Sequence, residues 1–296
     1  MKKAFVQLHV AVFLAGFTGI LGRLIRLNEG LLVWYRLFIT AITMWGLYGM
    51  MRKLQRLPIT DIIKISGVGF IAAMHWVTFY GVVKYANVSV ALVCFSCIGF
   101  FTAMFEPFLL KKKINRVELL LGLITMAGIY IIFRFDNRYK AGIILGVISA
   151  LLAAIFPIFN REYLKRTNVE TLLVWQQTGG LLVLSVLLPF YIQLFPTTVF
   201  LPGTEDLIWL LLLSWLCSVL AFHLSASALK HLSAFTVNLT YNLEPVYGIL
   251  LAFAVFNENK YLGHGFFMGF AIIAFAIIAH IILLVKEEKR LTHGAN

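Results

Sequence analysis

Ten runs of about 18 or more residues, each apolar and bounded by charged or turn-forming residues, constrain this chain more than any motif does. They fall near 4–22, 31–51, 62–83, 88–110, 117–135, 141–160, 170–195, 206–229, 233–256 and 262–285. Each is long enough to cross a hydrocarbon layer. A lipid-embedded backbone must satisfy its own polar groups, so open sheets are excluded and the runs are expected to be helices. The expected fold class is an all-α integral membrane protein with ten transmembrane helices and no soluble domain between them. Composition agrees, with 61% hydrophobic residues, 13% charged residues and a mean hydropathy of +0.90. The formal net charge of +12 does not indicate nucleic acid, because the basic residues sit in short clusters between apolar runs rather than along one soluble face.

Cys94, Cys97 and Cys217 all lie inside apolar runs, which points to packing rather than to a disulfide or a metal site, and no metal ligand set or cofactor is expected. Met1-Lys2-Lys3 followed by an apolar run resembles a secretory leader. The run continues to Leu21 without a small-x-small cleavage site, so it reads as a retained first helix.

Lys and Arg positions give an orientation. With a cytoplasmic N-terminus, seventeen of the 25 basic residues fall in inner segments, seven in outer ones, and Arg36 within a helix. Both termini are therefore expected on the inner face of the cell membrane. Leu31-Leu32-Val33-Trp34 recurs as Leu172-Leu173-Val174-Trp175, and Val83-Lys84-Tyr85 has its counterpart in Leu229-Lys230-His231. Five helices per copy force the second copy to enter the bilayer upside down. The expected organisation is two inverted five-helix repeats, 1–135 and 141–285, with a cytoplasmic tail over 286–296. Such repeats characterise secondary transporters with a midplane site.

The series Ala228-Leu229-Lys230-His231-Leu232-Ser233-Ala234, Leu243-Glu244-Pro245-Val246, Glu258 and Gly269, together with Arg36 in helix two, resembles the second-half signature of the ten-helix EamA-type members of the drug/metabolite transporter superfamily. The resemblance covers nearly the whole chain. In the first half Gly99 stands where the proline would be and Lys112 where the acid would be. The resemblance implies movement of small metabolites, often export of amino acids or related compounds, through a cavity lined by both halves.

The sharpest site candidate is Glu244, near the middle of the ninth run. An ionisable group there is costly unless it lines a cavity or finds a partner. Val237, Tyr241, Glu244 and Gly248 share one helical face, and Asn238, Tyr241, Asn242 and Pro245 share another. The functional reading gives Glu244 a substrate amine or a proton; the structural one makes it a clamp between helices. Pro245 is expected to kink or open the helix.

Glu106, close to Lys111-Lys112-Lys113, is expected to gate the cavity or to pair with a basic residue at the interface. Arg36 either snorkels outward or binds a carboxylate of the protein or the substrate. His75, Trp76 and Tyr80 in helix three and His223 in helix eight supply aromatic and hydrogen-bonding groups of the kind that line small-molecule cavities. Thr18, Ser96, Asn160, Gln176 and Gln177 are secondary candidates. Gly142 to Gly146 and Gly265 to Gly269 permit close helix approach, which leaves a homodimer open without supporting one.

The partners expected are therefore a small-molecule substrate and the lipid bilayer, with proton coupling through Glu244 as an open question. No Gly-x4-Gly-Lys-Ser/Thr stretch is present to bind nucleotide. A membrane ligand sensor or scaffold without transport is the main alternative. An intramembrane enzyme is the lesser one, since the seven histidines are scattered and no His-Glu-x-x-His occurs.

Overall fold

A computed structural model describes residues 2–111, 114–135, 139–232, 237, 240–241 and 243–293. Its long elements are helical: α1 Lys2–Leu24, α2 Glu29–Met50, α3 Ile59–Tyr85, α4 Val88–Phe95, α5 Ile98–Leu110, α6 Arg116–Phe135, α7 Lys140–Tyr163, α8 Val169–Leu194, α9 Thr204–Ser214, α10 Ala221–Leu229, α11 Glu244–Phe256 and α12 His264–His293. No strand occurs among the described residues. A π-helical turn, Trp215–Leu220, joins α9 to α10. Seven spans are long and apolar enough to cross a membrane, counting α4 with α5 and α9 with α10 as single crossings. Three shorter apolar stretches, Leu119–Ile132, Glu244–Phe256 and His264–Ala279, occupy the remaining crossings.

Local chemistry sets the helix starts. Asn28, Asn87 and Asn168 each accept a hydrogen bond from the backbone N–H three residues on, at 2.8, 2.8 and 2.9 Å, capping α2, α4 and α8. Each cap satisfies a donor the helix cannot use itself.

The fourth crossing is not the continuous helix expected over 88–110. It breaks at Ser96 and Cys97, where the Ser96 hydroxyl donates back to the Leu92 carbonyl at 3.3 Å and Cys97 N bonds Cys94 O at 3.0 Å. Back-bonding of this kind and a tightened turn both bend helices. The ninth crossing, expected to kink or open at Pro245, opens: Leu243 stands in a turn just before it. Its described second part begins at Glu244, and Pro245 lies in its first turn, where a missing N–H removes no helical bond.

These two breaks occupy the same place in the repeat. Lys84 and Lys230 stand 146 positions apart, and so do Ile98 and Glu244, the first residues of α5 and α11. Both half-helices run 13 residues and end at a left-handed residue, Lys111 at φ 52° and Asn257 at φ 53°.

Packing follows the same symmetry. Helix α1 lies against α10 and α11, while its counterpart α7 lies against α3 and the α4–α5 pair. The contacts α2–α8 and α6–α12 each join an element to its own counterpart, and α4 packs on α11, the counterpart of α5. The interface between the halves is therefore built by their pseudo-two-fold relation, with the broken crossings at its centre.

Glycines permit the tightest crossings. A β-carbon at Gly180 would lie 2.7 Å from the Gly69 carbonyl oxygen, so α3 and α8 meet backbone to backbone. Gly180→Ala should cost about 1–3 kcal/mol of stability, whereas Gly46→Ala, with no neighbour within 4 Å, should be neutral or better; thermal unfolding in detergent checks the pair. Three glycines of the two Gly-x-x-x-Gly stretches make close contacts inside the chain. Gly142 and Gly146 face Ala86 and Cys94, and Gly269 faces the Gly128 carbonyl.

Candidate functional site

A cavity of about 550 Å³ lies between the halves, beside both helix breaks. Its wall includes Ser96, Ile98 and Gly99 from the first break and Tyr241, Glu244 and Pro245 from the second. Two half-helices thus begin at the cavity, and their first-turn N–H groups and positive dipole ends are directed toward it.

Glu244 is 6% exposed and makes no hydrogen bond or ion pair among the described residues. Its neighbour Tyr241 lines the same cavity, as does Ser225. Arg36 is the opposite case, a cation held from several sides. Its Nε donates to Ser218 Oγ at 2.8 Å and its Nη1 to the Tyr80 hydroxyl at 2.9 Å. The guanidinium carbon stands 4.4 Å from the Trp76 ring centroid, and Trp76 itself stacks on Phe222 at 5.6 Å. Ser214 Oγ adds a bond to the Arg36 carbonyl at 3.3 Å. A planar guanidinium fixed in this way is pre-organised for a carboxylate, with little side-chain entropy left to lose on binding. Arg36 and Glu244 make no ion pair with each other, so the cavity carries a fixed cation and a separate carboxylate.

Apolar and amide groups complete the wall. His75 is fixed through Nδ1 to Ser149 Oγ at 2.9 Å and is surrounded by Phe79, Phe95 and Phe156. Asn160 Nδ2 donates to Gln176 Oε1 at 3.2 Å, while Asn160 Oδ1 is buried without a partner among the described residues.

The cavity is asymmetric along its axis. Toward the end that carries residues 114–116 and 161–168 its lining continues through Glu106, Arg161, Leu164 and Asn115. Arg161 Nη1 and Glu106 Oε1 are 3.3 Å apart there, with side chains 39% and 26% exposed.

At the opposite end a polar network crosses between the halves. Glu258 accepts from Val88 N at 3.1 Å, Ser89 N at 2.8 Å, Ser89 Oγ at 2.6 Å and also from Arg23, whose guanidinium lies 4.4 Å from the Phe256 ring centroid. Glu29 accepts from Tyr85 at 3.0 Å and from Tyr191, and Asp206 accepts from Arg26 N at 2.8 Å. None of these residues lines the cavity. No group of three or more His, Cys, Asp or Glu suited to a metal occurs among the described residues.

The EamA-like transporter family matches residues 2–134 and, a second time, residues 140–280. The chain belongs to this family. An EamA-like chain should have a membrane-transporter relative, and a Haemophilus influenzae protein named an uncharacterized transporter is 26% identical over 163 residues. That match takes in 52% of this chain, which spans about half, 53%, of the relative's length. A protein of known crystal structure superposes at a TM-score of 0.65 over 97% of this chain and 99% of its own, with 15% identity. At that identity the likeness concerns the fold alone. The protein is thus a multi-pass membrane protein of the EamA-like transporter family.

Within this EamA-like fold the residues singled out from sequence separate into groups. Glu244, Tyr241, His75, Trp76, Arg36 and Glu106 line the one cavity, as do Thr18, Ser96, Asn160 and Gln176. Tyr80 is fully buried behind Arg36 and does not line it. Gln177 is buried elsewhere. His223 is also absent from the lining, and its Nδ1 is 3.1 Å from the Tyr48 hydroxyl. Asn238 and Asn242 lie outside the described residues.

The helix-eight placement has a cause: the π turn adds a residue per turn over Trp215–Leu220 and rotates the helix beyond it. Phe222 and Ser225 therefore reach the cavity in place of His223. The same turn presents Ser218 to Arg36, a contact with no signal in helical spacing. Ser218→Ala leaves an Arg36 donor unpaired and should lower stability by about 1–3 kcal/mol, measurable as a lower unfolding temperature, with Ser227→Ala unchanged.

Proposed function

We propose that this transporter carries small zwitterionic metabolites, amino acids or compounds like them, out of the cell by alternating access, in exchange for protons. The observation that carries the reading is the pairing of a fixed guanidinium, Arg36, with an unbonded carboxylate, Glu244, in one cavity between the two halves. A substrate carboxylate matches the remaining edge of Arg36 and a substrate ammonium matches Glu244. The aromatic wall of Trp76, Phe79, Phe95 and Phe222 accommodates an apolar side chain.

Exchange follows from one group serving two ligands. Glu244 holds either the substrate ammonium or a proton, so that each release prepares the next binding event. The basic end, with the more accessible lining, is the cytoplasmic face by the distribution of Lys and Arg. The conformation described here is then loaded from inside and closed outside by the Glu258 network. Both termini lie in the cytoplasm of a cell-membrane protein.

The test is flux across a vesicle membrane. Purified protein reconstituted in liposomes should move labelled neutral amino acids saturably, faster when the opposite compartment is more acidic, and without nucleotide. Binding of such solutes with no flux under any gradient would favour a membrane sensor instead. Arg36→Lys should raise the half-saturating concentration about tenfold or more, because a point charge replaces a planar fork. Its readout is the concentration dependence of the same flux.

A further inference from the structure

A second cavity, about 560 Å³, lies at the basic end and shares Arg161, Leu164 and Leu229 with the central one. It is formed where the chain leaves α7, turns, and enters α8. The turn is tied to the α2–α3 connection by four bonds. Gln55 N donates to Thr171 Oγ1 at 2.8 Å, Thr167 Oγ1 to Gln55 Oε1 at 3.0 Å, Asn168 N to Gln55 Oε1 at 3.1 Å, and Asn168 Nδ2 to the Lys53 carbonyl at 2.5 Å.

Two donors on Gln55 Oε1 fix the orientation of that carboxamide, so its NH₂ is directed away from them. The rim is therefore rigid and presents donors.

Four cations stand at this cavity: Arg161, Lys165, Arg166 and Lys230. Two are offset locally. Arg161 faces Glu106 at 3.3 Å and Lys165 holds Glu162 at 2.7 Å. Arg166 and Lys230 form no hydrogen bond through their side chains and no ion pair among the described residues. Glu170 is engaged by Lys53 at 3.4 Å, so it does not offset them either. Orientation in the membrane requires only that basic residues flank the helix ends. It does not require them to surround a cavity with a fixed amide donor.

We propose that this vestibule is an oxyanion-binding site, which takes a phosphate or carboxylate group between Arg166, Lys230 and the Gln55 amide at the mouth of the central cavity. The same chemistry can come from a soluble anion or from the phosphate of a lipid headgroup. The site stands apart from the exchange reading, because binding here requires no flux.

The test uses the full chain in phosphatidylcholine nanodiscs. Inorganic phosphate, titrated at constant ionic strength against chloride, should raise the unfolding temperature saturably. Arg166→Gln with Lys230→Gln should weaken that response about tenfold or more, since two charge-assisted contacts are lost. Arg166→Lys with Lys230→Arg should retain it, and the single variants serve if the double variant does not fold.

A second arm replaces part of the phosphatidylcholine with phosphatidylglycerol. Protection by that lipid with none by phosphate assigns the site to a headgroup; protection by phosphate assigns it to a soluble anion. No protection by either, or equal protection of the Arg166→Gln, Lys230→Gln variant, overturns the proposal.

Discussion

Glu244→Gln should lower exchange flux by about 10- to 100-fold, because a charge-assisted bond to an ammonium is worth about 1.5–3 kcal/mol and the amide retains little of it. The substitution preserves shape. Glu244 makes no bond among the described residues whose loss would unfold the protein, so thermal stability should be nearly unchanged or improved. This combination separates the proposal from a clamp. A carboxylate that joined two helices would lose stability on neutralisation, whereas a substrate or proton site should lose flux alone. The residual flux should no longer respond to a pH gradient, since the group that alternates between proton and substrate is gone. Comparing uptake with and without an acidic opposite compartment reads this directly.

Glu258→Ala should act on the conformational equilibrium instead. The Glu258 carboxylate joins the end of α11 to the first N–H groups of α4 and to Arg23 at the end of α1, crossing between the halves. Breaking a buried, hydrogen-bonded pair costs about 3–5 kcal/mol. Since the Arg23 side chain is 39% exposed, the lower end applies, about 3 kcal/mol or roughly 100-fold in the ratio of closed to open forms.

The opposite end is joined differently: Gln55, Lys53 and Asn168 tie the α2–α3 connection to the α7–α8 turn, and among the described residues no carboxylate bridges a helix N-terminus across the cavity mouth. By the repeat register of 146, Glu258 corresponds to Lys112, a residue type with no side-chain acceptor for helix N–H groups. At the cavity mouth Glu106 and Arg161 form a partly exposed pair that solvent screens and weakens. The molecule should therefore rest with the Glu258 end closed, and Glu258→Ala should release it. With Cys94, Cys97 and Cys217 replaced and a reporter placed by Ala15→Cys on the cavity wall, labelling by an impermeant thiol reagent should rise from the outer side and fall from the inner side. Unchanged labelling from both sides would contradict this assignment of the brace.

The architecture could be read in the sequence because it is dictated by solvent. Ten apolar runs had to become helices, and the Lys84–Lys230 register already set Gly99 opposite Pro245. The structure repeats that register at Ile98 and Glu244 and at Lys111 and Asn257. Glu244, Arg36, Trp76 and His75 could be found because a polar or aromatic group within an apolar run needs a reason to be there.

The features that spacing missed were set by backbone irregularity and distant pairing. The π turn at Trp215–Leu220 shifted the face of helix eight, replacing His223 with Phe222 and Ser225 and supplying Ser218 to Arg36. Tyr80 has the right spacing for the cavity, but Arg36 occupies its hydroxyl. Glu258 was visible as part of a family pattern, yet its role depends on Val88 and Ser89, 170 and 169 residues away. An opening near Glu244 was one of the two outcomes expected of Pro245, but the matching break before Ile98, which has no proline, was not foreseen.

The most direct measurement for the proposed exchange is counterflow in liposomes loaded with an unlabelled neutral amino acid. With no other gradient, labelled amino acid outside should accumulate transiently above equilibrium through the wild-type protein, and this overshoot should be absent with Glu244→Gln. Equilibration without overshoot would indicate a pore rather than a carrier, and an overshoot equal in Glu244→Gln would remove that carboxylate from the mechanism.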